Sequence, residues 1–375
     1  MNLKAALLAT ATAGALLLVP ACGGDAGPSQ ADNVTGDTKG SASSVTPAQY
    51  IAIDLNVGSY GSTTGRAIGD GEQAGGSCSG HTTCTSHALL WRGSASTIVD
   101  LQPDGFIASV AVATSGGVQV GAGQTTSGRT HALKWAGSAG SVVDLDPTGF
   151  WSTAQSIAGG QIVGSGQKTN VGPTHALLWI NHLVVDLHPS GYSESFAMAT
   201  DGAQQVGGGH PVSLGSGYSH ALLWAGNAES VVDLHPLGGN FVSSNSAGVS
   251  GGQQVGVGIY TSDGQPVING LSRAHALLWR GSSQSVVDLH PGGFSESGAA
   301  AVAADRQVGF GITADGLQHA LVWNGTADSV VDLHVFLPPG FSRSFASGID
   351  ASGNVVGWAE VTGTEETHAI LWVRQ

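Results

Sequence analysis

Short stretches of alternating apolar and small residues recur along most of this chain, and polar or Gly-rich segments separate them. Residues 194–234 show the pattern, with such stretches at Glu194–Thr200, Gln204–Gly208, His220–Trp224 and Ser230–Leu234. The first two stretches and the last two are each joined by a connection of hairpin length. The pattern predicts four short antiparallel strands in this unit.

Two motifs show that the unit is repeated along the chain. HALLW or a close variant alternates strictly with (V/I)DL, at a period of about 45 residues. Four strands in a repeat of this size are typical of a propeller blade. We therefore predict an all-β fold, a seven-bladed β-propeller over residues 48–375 with four antiparallel strands per blade. The histidines that open the first motif are His87, His131, His175, His220, His275, His319 and His368. The aspartates of the second motif are Asp54, Asp100, Asp144, Asp186, Asp233, Asp288 and Asp332.

The order of the motifs indicates how the ring closes. The repeat region begins at Tyr50–Leu55, which matches a fourth strand without the first three. It ends at His368–Trp372, which matches a third strand without a fourth. We expect the N-terminal strand to complete the last blade, because this pairing protects both sheet edges.

The recurring polar and aromatic residues have a structural interpretation. A hairpin brings His87 close to Asp100, and a partly buried carboxylate needs a hydrogen-bond donor. We predict one such bond per blade, and we expect the tryptophan of each HALLW motif to pack between blades. Four further histidines follow the Asp-Leu step and are expected to shape turns, since equivalent outer positions diverge too far to share a metal ion. These are His188, His235, His290 and His334.

The repeat resembles the extracellular HAF repeat of bacterial exported proteins. That pattern is His-Ala-Phe-Leu-Trp, then Asp-Leu-Gly, then Ala-Ile-Asn-x-x-Gly-x-Val-Val-Gly. The copies in this chain that match it best are His368–Trp372 and Ile349–Gly357. This chain departs from it by using Leu, Val or Ile in place of Phe, and Asp-Leu-His-Pro in place of Asp-Leu-Gly. The resemblance implies an extracytoplasmic repeat protein and carries over no catalytic residue.

The N-terminal residues predict export. Lys4 precedes an apolar run of about fifteen residues, which fits a signal peptide and is short for a membrane span. The run ends at Val19-Pro20-Ala21-Cys22, which resembles a bacterial lipoprotein signal. This resemblance implies removal of residues 1–21 and lipidation of Cys22. Residues 22–47 are rich in Gly, Ser, Asp and Thr and are expected to form a flexible tether. No second long apolar run follows, so the lipid would be the sole membrane attachment.

Two further cysteines bear on the compartment. Cys78 and Cys84 are predicted to form a disulfide, which an exported protein favours. The alternative is a metal site formed by these cysteines with His81 and His87. Because His87 has an equivalent in every other repeat without an accompanying cysteine, we favour the disulfide and predict no metal site.

The net charge and the absence of catalytic motifs bear on which classes of function are expected. The formal net charge is −14 with 12 Lys and Arg, so nucleic-acid binding is not expected. No nucleophile elbow, HExxH or P-loop motif occurs, and we assign no catalytic residue and no cofactor. Glu72, Asp305 and Glu360 are acidic residues at nonrepeating positions, and they are scattered along the chain.

The connections that vary between repeats are expected to emerge on one face of the propeller. We predict a monomeric, lipid-anchored scaffold of the bacterial cell envelope that binds an unidentified protein or glycan through this face. The alternative is a propeller hydrolase or lyase that acts on an envelope or extracellular polysaccharide.

Overall fold

The computed structural model describes residues 49–78, 86–146, 150–168, 172–214, 218–238, 240–260 and 273–375. Within these residues, 28 strands form seven four-stranded antiparallel sheets. The predicted signal peptide, the tether and Cys22 lie outside the described residues. In the part of the chain that is described, no helix has the length and apolar character needed to cross a membrane.

Each sheet is one blade, and its strands run in order from the axis of the ring to its rim. Blade 1 contains β2 (Ser62–Gly69), β3 (Glu72–Cys78), β4 (Ala88–Trp91) and β5 (Val99–Asp100). Blade 2 contains β6 (Phe106–Ser115), β7 (Val118–Thr125), β8 (Thr130–Trp135) and β9 (Val143–Asp144). Blade 3 contains β10 (Trp151–Ala158), β11 (Gln161–Gln167), β12 (His175–Ile180) and β13 (Leu183–Asp186). Blade 4 contains β14 (Tyr192–Thr200), β15 (Gln205–Pro211), β16 (His220–Trp224) and β17 (Val232–Asp233).

The remaining blades follow the same order. Blade 5 contains β18 (Phe241–Ser250), β19 (Gln253–Tyr260), β20 (Arg273–Trp279) and β21 (Val287–Asp288). Blade 6 contains β22 (Phe294–Ala303), β23 (Arg306–Thr313), β24 (Gln318–Trp323) and β25 (Val331–Asp332). Blade 7 contains β26 (Phe341–Ile349), β27 (Val355–Val361) and β28 (Thr367–Arg374), with β1 (Tyr50–Asp54) as its outermost strand. The prediction of a seven-bladed, all-β propeller is confirmed.

The ring closes through the first strand of the chain, as predicted. β1 pairs with β28 in register from Tyr50 opposite Arg374 to Asp54 opposite Ile370. The Leu55 N–H donates to Ala369 O at 2.8 Å just beyond this ladder. The innermost strands of consecutive blades contact one another all the way round, including β26 with β2. They therefore enclose a central channel.

The hydrophobic core lies between blades. Trp135 of blade 2, for example, packs in one cluster with Leu90 and Leu101 of blade 1. The tryptophans of six HALLW motifs are at most 1% exposed, and Trp179 is 7% exposed. A single blade cannot cover both faces of its sheet, so burial of these rings requires the neighbouring blade.

Candidate binding face and its residues

The two faces of the propeller differ in their connections. On one face, which we call the hairpin face, links join the first strand of a blade to the second and the third to the fourth (first-to-second and third-to-fourth links). On the opposite face, the variable face, links join the second strand to the third and the fourth strand to the first strand of the next blade (second-to-third and fourth-to-first links). Most first-to-second links have two residues, as between β2 and β3 or between β6 and β7. Second-to-third links range from four residues, between β7 and β8, to twelve, between β19 and β20. Differences between blades are therefore concentrated on the variable face.

Seven His–Asp pairs lie on the variable face, one in each blade. In every pair, the Nδ1 atom of the HALLW histidine lies 2.7–2.8 Å from Oδ2 of the aspartate. The other carboxylate oxygen accepts the backbone N–H two residues on, as Asp233 Oδ1 does from His235 at 2.8 Å. Burial alone would raise the pKa of Asp233, but the hydrogen bonds from His220, the His235 N–H and Tyr192, together with the charge of His220, outweigh burial and lower that pKa. The geometry supports a structural role, because each pair joins the third and fourth strands of its own blade.

A second histidine stacks on the first in four blades. The ring centroids of His220 and His235 lie 4.1 Å apart, with nearly parallel planes. His235 Nδ1 is hydrogen-bonded to Ser244 Oγ at 2.9 Å, and that hydroxyl accepts the Ala221 N–H at 3.0 Å. Burial and the adjacent His220 lower the pKa of His235 to about 4. The other stacked pairs are His175–His188, His275–His290 and His319–His334.

Other side chains take the place of the second histidine in the remaining blades. They are Asn56, Gln102 and Asp146, which accept hydrogen bonds from Thr63, Ser109 and Ser152 respectively. In all seven blades, that hydroxyl also accepts the backbone N–H of the alanine after the HALLW histidine of the preceding blade. The hydroxyls thus join neighbouring blades. The sequence pattern did not identify these hydroxyls, although Ser195 and Ser297 end the similar segments Gly191–Ser195 (GYSES) and Gly293–Ser297 (GFSES).

The cysteine segment is only partly described. Cys78 is the last residue of β3, whereas Cys84 and His81 lie outside the described residues, so the disulfide stays a prediction. His87 Nδ1 lies 2.7 Å from Asp100 Oδ2, as in the other blades. No group of three or more His, Cys, Asp or Glu side chains suited to a metal ion occurs among the described residues.

The acidic residues at nonrepeating positions do not converge. Glu72 accepts two hydrogen bonds from the Arg92 guanidinium on the hairpin face. Asp305 lies in a turn of the same face and accepts a hydrogen bond from Gln253. Glu360 lies near the variable face, and its Oε2 is 3.7 Å from Arg343 Nη1. Each carboxylate therefore has its own local partner.

Aromatic residues at the start of the inner strands pack against the His–Asp pairs. Phe106 lies edge-on to His131 with ring centroids 6.2 Å apart. Phe341 lies edge-on to His368 with ring centroids 5.6 Å apart. The Tyr192 hydroxyl donates to Asp233 Oδ2 at 3.1 Å. Burial raises the pKa of Tyr192, and the Asp233 carboxylate raises it further. These contacts favour a packing role over a ring of ligand-stacking aromatics.

The variable face carries exposed apolar side chains of its own. Leu237 is 75% exposed, Val335 68% and Val212 64%, and all three lie in links of this face. The other large apolar side chains with comparable exposure lie mainly on outermost strands, such as Leu183 on β13. Three of the four most exposed large apolar side chains of the described residues therefore lie in links of the variable face.

Comparison with known proteins identifies the fold but no family. No family model matches the chain, and no curated protein matches it. The β-propeller domain of the Trilobed protease from Pyrococcus furiosus is similar in structure, with a TM-score of 0.57 and 10% identity, over 85% of this chain and 96% of that domain. Puromycin hydrolase gives a TM-score of 0.52 at 11% identity, over 84% of this chain and 52% of that one. The acylaminoacyl peptidase of Pyrococcus horikoshii gives a TM-score of 0.53 at 10% identity, over 87% of this chain and 53% of that one.

The chain spans about half the length of puromycin hydrolase and of the acylaminoacyl peptidase. At 10–11% identity, these likenesses establish the propeller fold alone.

Proposed function

We propose that this protein is an extracytoplasmic, lipid-anchored binding scaffold, and that its variable face binds a protein or a glycan. The observation that carries the proposal is the contrast between the two faces. On the hairpin face, five of the seven first-to-second links have two residues and five of the six third-to-fourth links have seven, whereas the second-to-third links on the variable face range from four to twelve residues. A rigid ring that presents dissimilar connections on one side is a common arrangement for recognition.

The exposed apolar residues favour a protein partner for at least part of this face. Leu237 and Val335 project from fourth-to-first links, away from the interblade core. Burial of such side chains against a partner removes apolar surface from water and stabilises a complex. The polysaccharide hydrolase or lyase is a weaker candidate, because the carboxylates Glu72, Asp305 and Glu360 are each engaged locally and lie apart.

Site-specific photo-cross-linking in intact cells tests the binding face. A photoreactive residue at Leu237 or Val335 is compared with one at Glu229 or Asp328, which are exposed on the hairpin face of the same blades. We expect discrete cross-linked species from the first two positions only. Equal cross-linking from both faces, or none from either, would overturn the proposed face.

Intact-mass measurement tests the anchor and the compartment. We expect the mature, membrane-extracted protein to begin at a diacylglyceryl-modified Cys22 and to gain about two daltons on reduction of a Cys78–Cys84 disulfide. A chain that begins at Met1, carries no lipid and has an unchanged mass after reduction would contradict export. The segment with His81 and His87 would then be tested for metal binding.

A further inference from the structure

The innermost strand of every blade contains, near its middle, one residue that is left out of the pairing with the second strand. In β2, for example, Gly65 pairs with Gly75 and Ala67 with Ala74, which leaves Arg66 unpaired. Such a β-bulge turns the extra side chain away from its paired neighbours. The equivalent residues are Arg66, Val112, Gln155, Met198, Ala247, Ala300 and Ser347. We refer to them as the bulge ring.

The bulge ring lines the central channel. Each of its members directly follows a buried residue and yet keeps accessible surface itself. The innermost strands pair on one side only, so their free edges face the axis of the ring. A partly accessible side chain at the middle of such a strand therefore projects into the channel.

Arg66 is the one charged member of the bulge ring. Six blades form the same bulge with a neutral residue, so the bulge itself does not require arginine. The repeat provides an internal comparison, because the seven positions share one backbone arrangement. A function specific to blade 1 is the simplest reason for a cation here.

The Arg66 guanidinium is unpaired within the described part of the chain. No hydrogen bond or ion pair joins its side chain to another residue of the described chain, which includes every innermost strand. Three other arginines of this acidic protein are paired with a carboxylate, Arg92 with Glu72, Arg129 with Asp146 and Arg343 with Glu360. A cation that protein surrounds is ordinarily paired, because removal from bulk water disfavours an isolated charge.

The surroundings of Arg66 fit a water-filled channel. Its side chain keeps a large exposed area, yet the enclosing protein lowers its pKa by desolvation alone, with no contribution from a neighbouring charge. An arginine remains protonated at neutral pH despite such a shift. Low-dielectric walls around a single charge also focus its field along the channel.

The bulge ring leaves room beside Arg66. On one side, the next three blades contribute the small residues Ser347, Ala300 and Ala247. On the other side, Val112 and the bulkier members of blades 3 and 4 follow. Space next to the guanidinium therefore lies toward blade 7, where Ser347 adds a hydroxyl group.

We propose that the central channel binds an anionic group, a carboxylate or a phosphate, at Arg66. The planar guanidinium can donate two parallel hydrogen bonds to either group, which fixes the orientation of the ligand. The Ser347 hydroxyl provides a further donor from the adjacent blade. The site is distinct from the variable face, and it does not depend on export or on a partner at that face.

Isothermal titration calorimetry of the full chain at low ionic strength tests this site, with inorganic phosphate and succinate as separate probes. We expect one site per chain for at least one probe, and affinity that falls as salt is added. Arg66→Gln and Arg66→Met should weaken binding by about tenfold or more, as loss of a charge-assisted hydrogen bond predicts. Both substitutions use residues that occupy the equivalent position in blades 3 and 4, so the fold should persist.

Arg280→Gln is the matched control, because Arg280 is an exposed arginine at the end of β20 and away from the channel. Its affinity for the probe should stay within about twofold of that of the wild type. Binding of phosphate alone or of succinate alone would identify the anion that the site prefers. Failure of the wild type to bind either probe, or binding by both Arg66 variants as tight as that of the wild type, would overturn the proposal.

Discussion

Ser244 shows how a single hydroxyl group holds two blades together. The side chain is 1% exposed, and Oγ accepts the Ala221 N–H from the preceding blade while it is hydrogen-bonded to His235. The backbone N–H of Ser244 also donates to Ser219 O at 2.8 Å. The same arrangement recurs in other blades, so each interblade junction depends on a small buried polar contact.

Replacement of this hydroxyl should destabilise the propeller. Ser244→Ala leaves the buried Ala221 N–H without an acceptor, which should lower the free energy of unfolding by about 1–3 kcal/mol. Urea denaturation measures the change. Ser244→Thr is the control, since Thr63 makes the equivalent bond in blade 1, and its loss should be smaller. An alanine variant as stable as the wild type would contradict this role.

The stacked histidines should make stability depend on pH. The pKa of His235 is lowered to about 4 by burial and by His220, while an unfolded histidine titrates near 6.5. Between these values the unfolded chain binds more protons, so the free energy of unfolding should fall as pH decreases from about 6.5 toward 4. The pKa values of His188, His290 and His334 are lowered for the same two reasons.

A substitution separates this effect from general acid denaturation. His235→Asn copies Asn56, which occupies the equivalent position in blade 7. The slope of unfolding free energy against pH between 6.5 and 4 should be smaller in this variant than in the wild type. Parallel slopes would show that His235 is not protonated on unfolding in this range.

At the scale of the strands, the first-to-second turns account for nine of the 59 glycines. Two-residue hairpins need positive φ at both central residues, which glycine adopts readily. Gly116-Gly117 and Gly251-Gly252 place glycine at both positions, whereas Asp70-Gly71 places it at one, with Asp70 itself at φ 53°. Blade 6 instead uses Ala304 at φ 46° and Asp305 at φ 64°. Ala304 therefore holds a strained backbone conformation.

Relief of this strain should stabilise the protein. Ala304→Gly removes a left-handed cost of about 1–2 kcal/mol and adds unfolded-state entropy, for a net gain of about 0.5–1 kcal/mol. The thermal unfolding midpoint should rise accordingly. Ala303→Gly, one residue earlier in β22, should have the opposite effect because no positive φ is relieved there. Equal changes in both variants would argue against strain at Ala304.

The strands also show where the sequence pattern was insufficient. The fourth strand of blade 4 was predicted over Ser230–Leu234, but only Val232–Asp233 pairs as a strand. A short 3-10 turn occupies Ala228–Ser230, and Asn227 caps it through a hydrogen bond to the Ser230 N–H. Blade 3 has no such turn, because Asn181 and His182 form a tight hairpin and allow β13 four residues. Apolar periodicity alone does not distinguish these two cases.

At the scale of the whole molecule, stability depends on closure of the ring by β1. The ladder between β1 and β28 is flanked by hydrogen bonds at Leu55–Ala369 and Gln375–Gln49. Since hydrogen-bonded pairs alternate along an antiparallel ladder, Ile51 donates to β28 and Ala52 does not. The two positions therefore form a matched pair for proline substitution.

Ile51→Pro should weaken closure more than Ala52→Pro. The first removes a ladder hydrogen bond, and the second removes an N–H that faces away from β28. The Ile51 side chain is 54% exposed, so little packing is lost with it. We expect a difference in unfolding free energy of about 1 kcal/mol or more between the variants, measured in urea. Equal stability would indicate that this ladder contributes little to the ring.

The sequence by itself determined the blade, the number of blades and the way the ring closes. Seven copies of two alternating motifs, with an isolated fourth strand at the start, leave one consistent ring. These features follow from local periodicity and order along the chain, which a sequence contains directly. The His–Asp pairing was also accessible, because a hairpin fixes the distance between its two strands.

Only the tertiary structure decided which residues face the channel and which hydroxyls join blades. Arg66 reaches the channel because a register shift in β2 leaves it unpaired. Counting alternate side chains on the two faces of β2 from Thr63 onward would not reveal that shift. Ser244 meets Ala221 because two blades pack together. Both placements depend on pairing between strands distant from the residue itself, so the pattern along one strand does not specify them.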